Sequence, residues 1–211
     1  MTESTAALVR LAAALARDDR DMLGDAMTRA ADAAPRVQAE EVLLQSFLFL
    51  GYPATLRALA LWRDRVGGPP AAVAPADEER ADWRARGEQV CAAVYGEAYE
   101  RLRQNIAALH PDIERWMLEE GYGKVLGRPG LGLRERELCI VALLAGMPAA
   151  GRQLHSHLRG ALNVGASADD VDEAMALAAE IHPAETVAPA LRLWAGVRAR
   201  WLRRGQAEDG A

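Results

Sequence analysis

Between Arg134 and Gly165 the chain reads RERELCIVALLAGMPAAGRQLHSHLRGALNVG, placing acids, arginines and two histidines among apolar residues. Ionisable groups inside apolar helices need partners or a purpose, because an unpaired charge away from water is costly. At 100° per residue, Leu138, Ile140, Val141, Leu143, Leu144 and Ala145 cover nearly the whole circumference of the first helix. Glu137 shares a side with Ile140, Val141 and Leu144, so it is expected to be buried, and Arg134, one turn earlier, is the nearest compensating cation. Gly146-Met147-Pro148 breaks this helix, and the next carries the stripe Leu154, Leu158, Ala161 with His155 and His157 on opposite flanks. The side bearing His157 also bears Gly160 and Ala161, small residues that leave room for a ligand or for another helix. His155 leans towards Arg152 and Arg159 and is expected at the surface or at a subunit contact. Imidazole titrates near neutrality, so His157 suits proton transfer, with Glu137 orienting it or relaying its proton. The structural alternatives are a packed core histidine and a buried Glu137–Arg134 ion pair.

Other chemistries find less support. Cys91 and Cys139 lie far apart, outside any C-x-x-C or metal-ligand spacing, and each has the apolar helical neighbours of a cysteine that acts as a small hydrophobe. Histidines two apart point away from each other on a helix, so no metal site is expected. A formal net charge of −5 argues against nucleic acid as a partner. The arginines Arg198, Arg200, Arg203 and Arg204 read as cations complementing a helix C-terminus. No apolar run is long enough to span a bilayer, and MTESTAALVR lacks the layout of a secretory signal, so a cytoplasmic location is expected.

The elements that must position these residues are helices. In 211 residues, 51% hydrophobic and 5% aromatic, alanine and leucine dominate and β-branched residues are few, which predicts an all-α fold. Helices are expected over Leu8–Ala16, Met22–Ala33, the buried run from Pro35 to Leu50, and Ala54–Arg65 after the break at Gly51-Tyr52-Pro53. Residues 67–81 begin as the linker GGPPAAVAPA. A longer helix, interrupted at Gly87 or Gly96, is expected from Asp77 to Leu109, and another from His110 to Glu120. Gly121-Tyr122-Gly123 and Arg128-Pro129-Gly130 read as turns. After the two helices of the opening run, Ser167 caps a helix to Ile181, His182-Pro183 breaks it, and a last helix runs from Glu185 to Arg203. Both ends of the chain share one order of elements, with Pro53-Ala54 leading to Trp62 and Pro183-Ala184 to Trp194. An internal repeat is therefore expected.

The region from Trp83 to Val197 resembles the carboxymuconolactone decarboxylases, within the alkyl-hydroperoxidase-D-like (AhpD-like) superfamily. The resemblance rests on RGEQVCAAVYG (86–96), HPDIERWMLEEGYGKVLGRPGLGLRERELCIVALLAG (110–146) and QLHSHLRGALNVGASADDVDEAM (153–175), in the family's order. It implies three segments: a degenerate N-terminal copy over 1–66, the linker 67–81, and a decarboxylase-like domain over 82–205. The N-terminal copy has no counterpart of Arg134–Glu137, and Ala26 or Met27 falls where the histidine should be. Peroxidase members carry two cysteines just before the helix histidine; here Gln153 and Ala150 occupy those positions, which disfavours thiol chemistry.

The resemblance further implies a cofactor-independent lyase or isomerase acting on a small carboxylated lactone or related cyclic acid. Such a reaction needs a cation to hold the carboxylate, stabilisation of developing enolate charge, and a proton donor to carbon. His157 is the expected donor with Glu137 beside it, and Arg134, Arg136 and Arg128 compete for the carboxylate. Tyr122 and His155 are further candidate contacts. Thiol peroxidase-like activity through Cys139, and a non-catalytic ligand-binding or scaffold paralogue, are the alternatives. A homotrimer is the first expectation from two-copy relatives and a hexamer the second.

Overall fold

Helices start where the sequence supplies acceptors for their first amides. The structure is a computed structural model that describes residues 1–71 and 79–208, the last four by backbone only. Thr2 caps α1 (Glu3–Leu15) and Asp19 caps α2 (Arg20–Ala33). Then come α3 (Arg36–Gln45), after Pro35, and α4 (Phe47–Val66), which bends at Gly51, whose φ of 73° glycine adopts without penalty. α5 (Arg80–Tyr95) ends at Gly96, and one 3-10 turn leads to α6 (Tyr99–Leu109). The long helix expected up to Leu109 is thus two, broken at Gly96 and not at Gly87. Residues 72–78, with Asp77 and most of the expected linker, lie outside the described residues; Arg80 and Ala81 already belong to α5. His110 caps the short α7 (Pro111–Trp116), and α8 (Leu133–Ala145), α9 (Gly151–Asn163), α10 (Ala168–Ile181) and α11 (Ala184–Glu208) complete an all-α chain with no strand among the described residues. Ser167 and Asp170 form a reciprocal capping box on α10. No single helix among the described residues is long and apolar enough to cross a membrane.

The segment read as a turn around Gly121-Tyr122-Gly123 is instead π-helical, over Met117–Leu126. Local turn propensity loses to burial here. Leu118, Tyr122, Val125 and Leu126 all enter the core, and the segment packs along α5 with Gly123 on its own side and Gly87 on that of α5 at the contact. A methyl group at Gly87 would fall 1.9 Å from the Leu118 carbonyl oxygen, and one at Gly123 would fall 2.0 Å from that of Trp83. The two backbones touch directly.

At the centre lies α8, buried at every residue from Arg136 to Ala145, as an all-round apolar helix must be. It is lined by α1 and α10, which also pack on each other, and α9 folds back along it. The His182 ring, at the break after α10, sits over Gly146 and its Nε2 bonds the Ala13 carbonyl at 3.0 Å. Two tryptophans latch the outer helices in the same way. Trp62 on α4 donates its indole N–H to Glu40, 22 residues earlier, and Trp194 on α11 donates to Asp172, also 22 residues earlier.

Substituting Gly87→Ala or Gly123→Ala should lower unfolding stability in urea by about 1–3 kcal/mol or more, the usual cost of overpacking. A loss below about 0.5 kcal/mol would mean that α5 and the π-helical segment are not in backbone contact.

Candidate functional site

The glycine in α9 explains how a carboxylate and an imidazole meet inside the core. Glu137 on α8 is fully buried and His157 on α9 is 6% exposed. His157 Nδ1 lies 2.8 Å from Glu137 Oε2. A Cβ at Gly160 would stand 2.7 Å from that same Oε2 and 2.7 Å from Val94 Cγ1 of α5. The space at Gly160 therefore holds the Glu137 carboxylate, and the expectation that it admits a ligand is corrected on that point. Phe49 closes the other side, its ring edge-on to His157 with centroids 5.6 Å apart.

While it is ionised, Glu137 can only accept a hydrogen bond, and in that state it places the proton of a neutral His157 on Nδ1. Nε2 is then the atom left to take or give a proton. It makes no hydrogen bond among the described residues. Glu137 Oε1 is buried and has no partner there either. Cys91, Tyr95 and Tyr122 surround the carboxylate and feel its charge. Burial pushes the Tyr122 hydroxyl well above its usual range and raises Tyr95 as well. Both phenols therefore stay protonated at neutral pH, and their rings meet edge to face at 6.1 Å. Tyr122 is 5% exposed and belongs to this buried cluster.

The three candidate arginines are each engaged elsewhere. Arg134 does not reach Glu137; its guanidinium bonds Glu135 at 2.7 Å and Asp170 at 2.8 Å, which corrects the expected Glu137–Arg134 pair. Burial raises the Asp170 carboxyl, but Arg134 and the Ser167 hydrogen bonds outweigh it and hold it far below its usual range. Arg136, expected to compete for the substrate carboxylate, is 1% exposed. It donates to Glu41 Oε2 at 2.8 Å, to Gln45 Oε1 at 3.2 Å and to the Arg128 carbonyl at 2.9 Å. Burial pushes this guanidinium down, and Glu41 opposes the shift. Arg128 grips the same Glu41 carboxylate at 3.0 and 3.2 Å, and its side chain keeps 23% exposure. One acid thus faces two guanidiniums.

His155 sits on the other side of α9, half-buried, where burial, Arg159 and Arg200 all push its imidazole down. Neither thiol is near ionisation. Burial raises Cys91 to about 12 and pushes Cys139 higher still, and both are wholly buried. Among the described residues no three His, Cys, Asp or Glu side chains gather as a metal site.

Glu41, Gln45 and Phe49 were missed from sequence, although the signal was present. Glu41 interrupts the apolar run of α3 just as Glu137 interrupts α8, but its cations lie 87 and 95 residues away, beyond the reach of local pattern.

The model of the carboxymuconolactone decarboxylase family matches residues 111–195, a span containing Tyr122, Arg128, Arg134, Arg136, Glu137 and His157. Peroxisomal protein 2 of Schizosaccharomyces pombe is 31% identical over 143 residues, 67% of this chain and 67% of that protein.

Removing one partner of a buried pair leaves an uncompensated charge, so Arg136→Ala should cost about 3–5 kcal/mol in urea unfolding. Arg134→Ala, which opens a partly exposed pair, should cost no more than about 1 kcal/mol. Equal losses from the two would refute the assignment of Arg136 as the buried clamp.

Proposed function

The chain belongs to the carboxymuconolactone decarboxylase family, and on that premise we propose that it is a cofactor-independent lyase or isomerase of small carboxylated lactones or related cyclic acids. The observation that carries the reading is the buried His157–Glu137 pair, with Nδ1 held at 2.8 Å and Nε2 left unbonded. When His157 is protonated, Glu137 stabilises the imidazolium and Nε2–H is the proton to be given. In the decarboxylation, the bond between the ring carbon and its carboxylate breaks and carbon dioxide leaves. The electron pair spreads onto the conjugated lactone carbonyl, and His157 returns a proton to carbon. The isomerisation uses the same groups without loss of carbon dioxide.

A guanidinium is needed for the substrate carboxylate. Arg128 is our first choice, because it is partly exposed and shares its one acid with Arg136, which leaves an excess positive charge for an anion to neutralise. Arg134 and Arg136 are less suited, being committed to carboxylates of the chain. Thiol peroxidase chemistry has the least support, since burial disfavours the thiolate at both cysteines.

A second reading, a ligand-binding or scaffold paralogue, is favoured by one observation. The hollows between α5, α6, α9 and α11, and those around α2, are lined by residues other than His157 and Glu137. On the catalytic reading, the pair is completed by assembly. The half-exposed apolar run 47–50, with Tyr52 at 67% and Leu56 at 60% exposure, adjoins His157 through Phe49 and is the face we assign to contact between copies in a homotrimer.

Turnover of carboxylated lactones, followed by carbon dioxide release or ultraviolet absorbance, should fall by about 10²–10⁴ in His157→Ala. Glu137→Gln should lower kcat more than it alters KM, and Leu56→Glu should reduce both the mass in sedimentation and the activity. Wild-type protein that sediments as a trimer yet neither turns over nor is thermally stabilised by any such acid would favour the scaffold.

A further inference from the structure

The last helices build a second, separate feature on the far side of α9 from the His157–Glu137 pair. Three adjoining hollows, of about 190, 320 and 240 Å³, run between α6, α9 and α11, and Arg159 lines all three. Arg101 enters from α6, and Arg200 and Arg204 from α11. Elsewhere on the chain the arginines at candidate functional positions have carboxylate partners: Arg128 and Arg136 share Glu41, and Arg134 pairs with Asp170. Here Arg159 is half-buried, Arg101, Arg200 and Arg204 are exposed around it, and none of the four guanidiniums has a carboxylate within ion-pair distance among the described residues. The one acid lining the hollows is Glu97, exposed on the rim.

Like charges gathered in a concave site raise the free energy of the empty protein, and they do so in a chain whose formal net charge is −5. His155 lines two of the hollows, and burial first, then Arg159 and Arg200, push its imidazole below the usual value. Helix-end electrostatics, the reading of these arginines from sequence, does not account for the arrangement. Arg198 is neutralised by Asp172, and α11 continues to Glu208, so Arg200 lies two turns before its end.

We propose that this cleft binds a small molecule carrying two or more phosphate groups. A lone carboxylate neutralises one guanidinium, whereas a di- or triphosphate brings charge comparable to all four and offers oxygens that match their planar forks. Trp201, half-buried between Arg200 and Arg204, lines two of the three hollows and presents a flat surface for a ring attached to the phosphates. The combined hollow reaches the size of ordinary ligand sites. The inference is independent of the reaction assigned to His157.

The test is calorimetric titration of the whole chain with inorganic pyrophosphate and with ADP, at two salt concentrations, in wild type and variants. Saturable one-to-one binding is expected, weakening as salt rises. Arg159→Ala should weaken both probes at least tenfold, and Arg63→Ala, an exposed arginine on α4 outside the cleft, should leave them unchanged. Trp201→Leu should remove any advantage of ADP over pyrophosphate. If Arg159→Ala lowers the melting temperature, Arg200→Ala, at an exposed position, serves as the second variant. Three results would overturn the proposal: no saturable binding of either probe, equal weakening by Arg159→Ala and Arg63→Ala, or salt-sensitive self-association abolished by Arg159→Ala, which would make the cleft a contact for another copy.

Discussion

A helix with no exposed face cannot hold two consecutive charged side chains unless each finds its opposite on a different neighbour. That constraint governs α8. Arg136 and Glu137 stand about 100° apart around its axis, so they reach separate elements. Arg136 turns to Glu41 and Gln45 on α3, and Glu137 turns to His157 on α9. Any rotation of α8 that improved one contact would break the other, and either break would strand a charge in the core. The pair of partners therefore fixes the rotation of the central helix. It also joins the N-terminal helices to the segment that carries the histidine.

The same constraint explains why small residues lie where they do. Gly160 exists on α9 because the Glu137 carboxylate occupies the place of its missing side chain, with Val94 closing the other side. Phe49, from the bent helix α4, then covers the imidazole. The N-terminal helices supply Glu41 and Gln45 to Arg136 and Phe49 to His157. Trp62 on Glu40 and Trp194 on Asp172 form matching latches at the two ends of the chain.

Much of this was legible in the residues, and the failures have physical causes. Periodicity placed Glu137 inside α8 and His157 beside the buried stripe of α9, and the structure brings the two together. The all-α class and the breaks at Gly51-Tyr52-Pro53 and His182-Pro183 followed from composition and proline. Partner choice did not, because ion pairing at long range depends on tertiary neighbours: Arg134 was the nearest cation in sequence, but it serves Asp170. The π-helical segment was hidden for a related reason. Gly121 and Gly123 signal a turn locally, but Gly123 lies against the backbone of α5 at Trp83. The arginines of α11 read as helix-end charges, and only the fold gathers two of them with Arg159 and Arg101.

The central claim is that Glu137 fixes the proton of His157 and leaves Nε2 available for chemistry. Long-range ¹H–¹⁵N correlation spectra of the histidine rings, recorded with the rings neutral, test it most directly. The account predicts a protonated Nδ1 and a bare Nε2 for His157 in the wild type, reverting to the ordinary mixture of tautomers in Glu137→Gln. A wild-type His157 that carries its proton on Nε2, or that averages the two tautomers as an exposed histidine does, would contradict it.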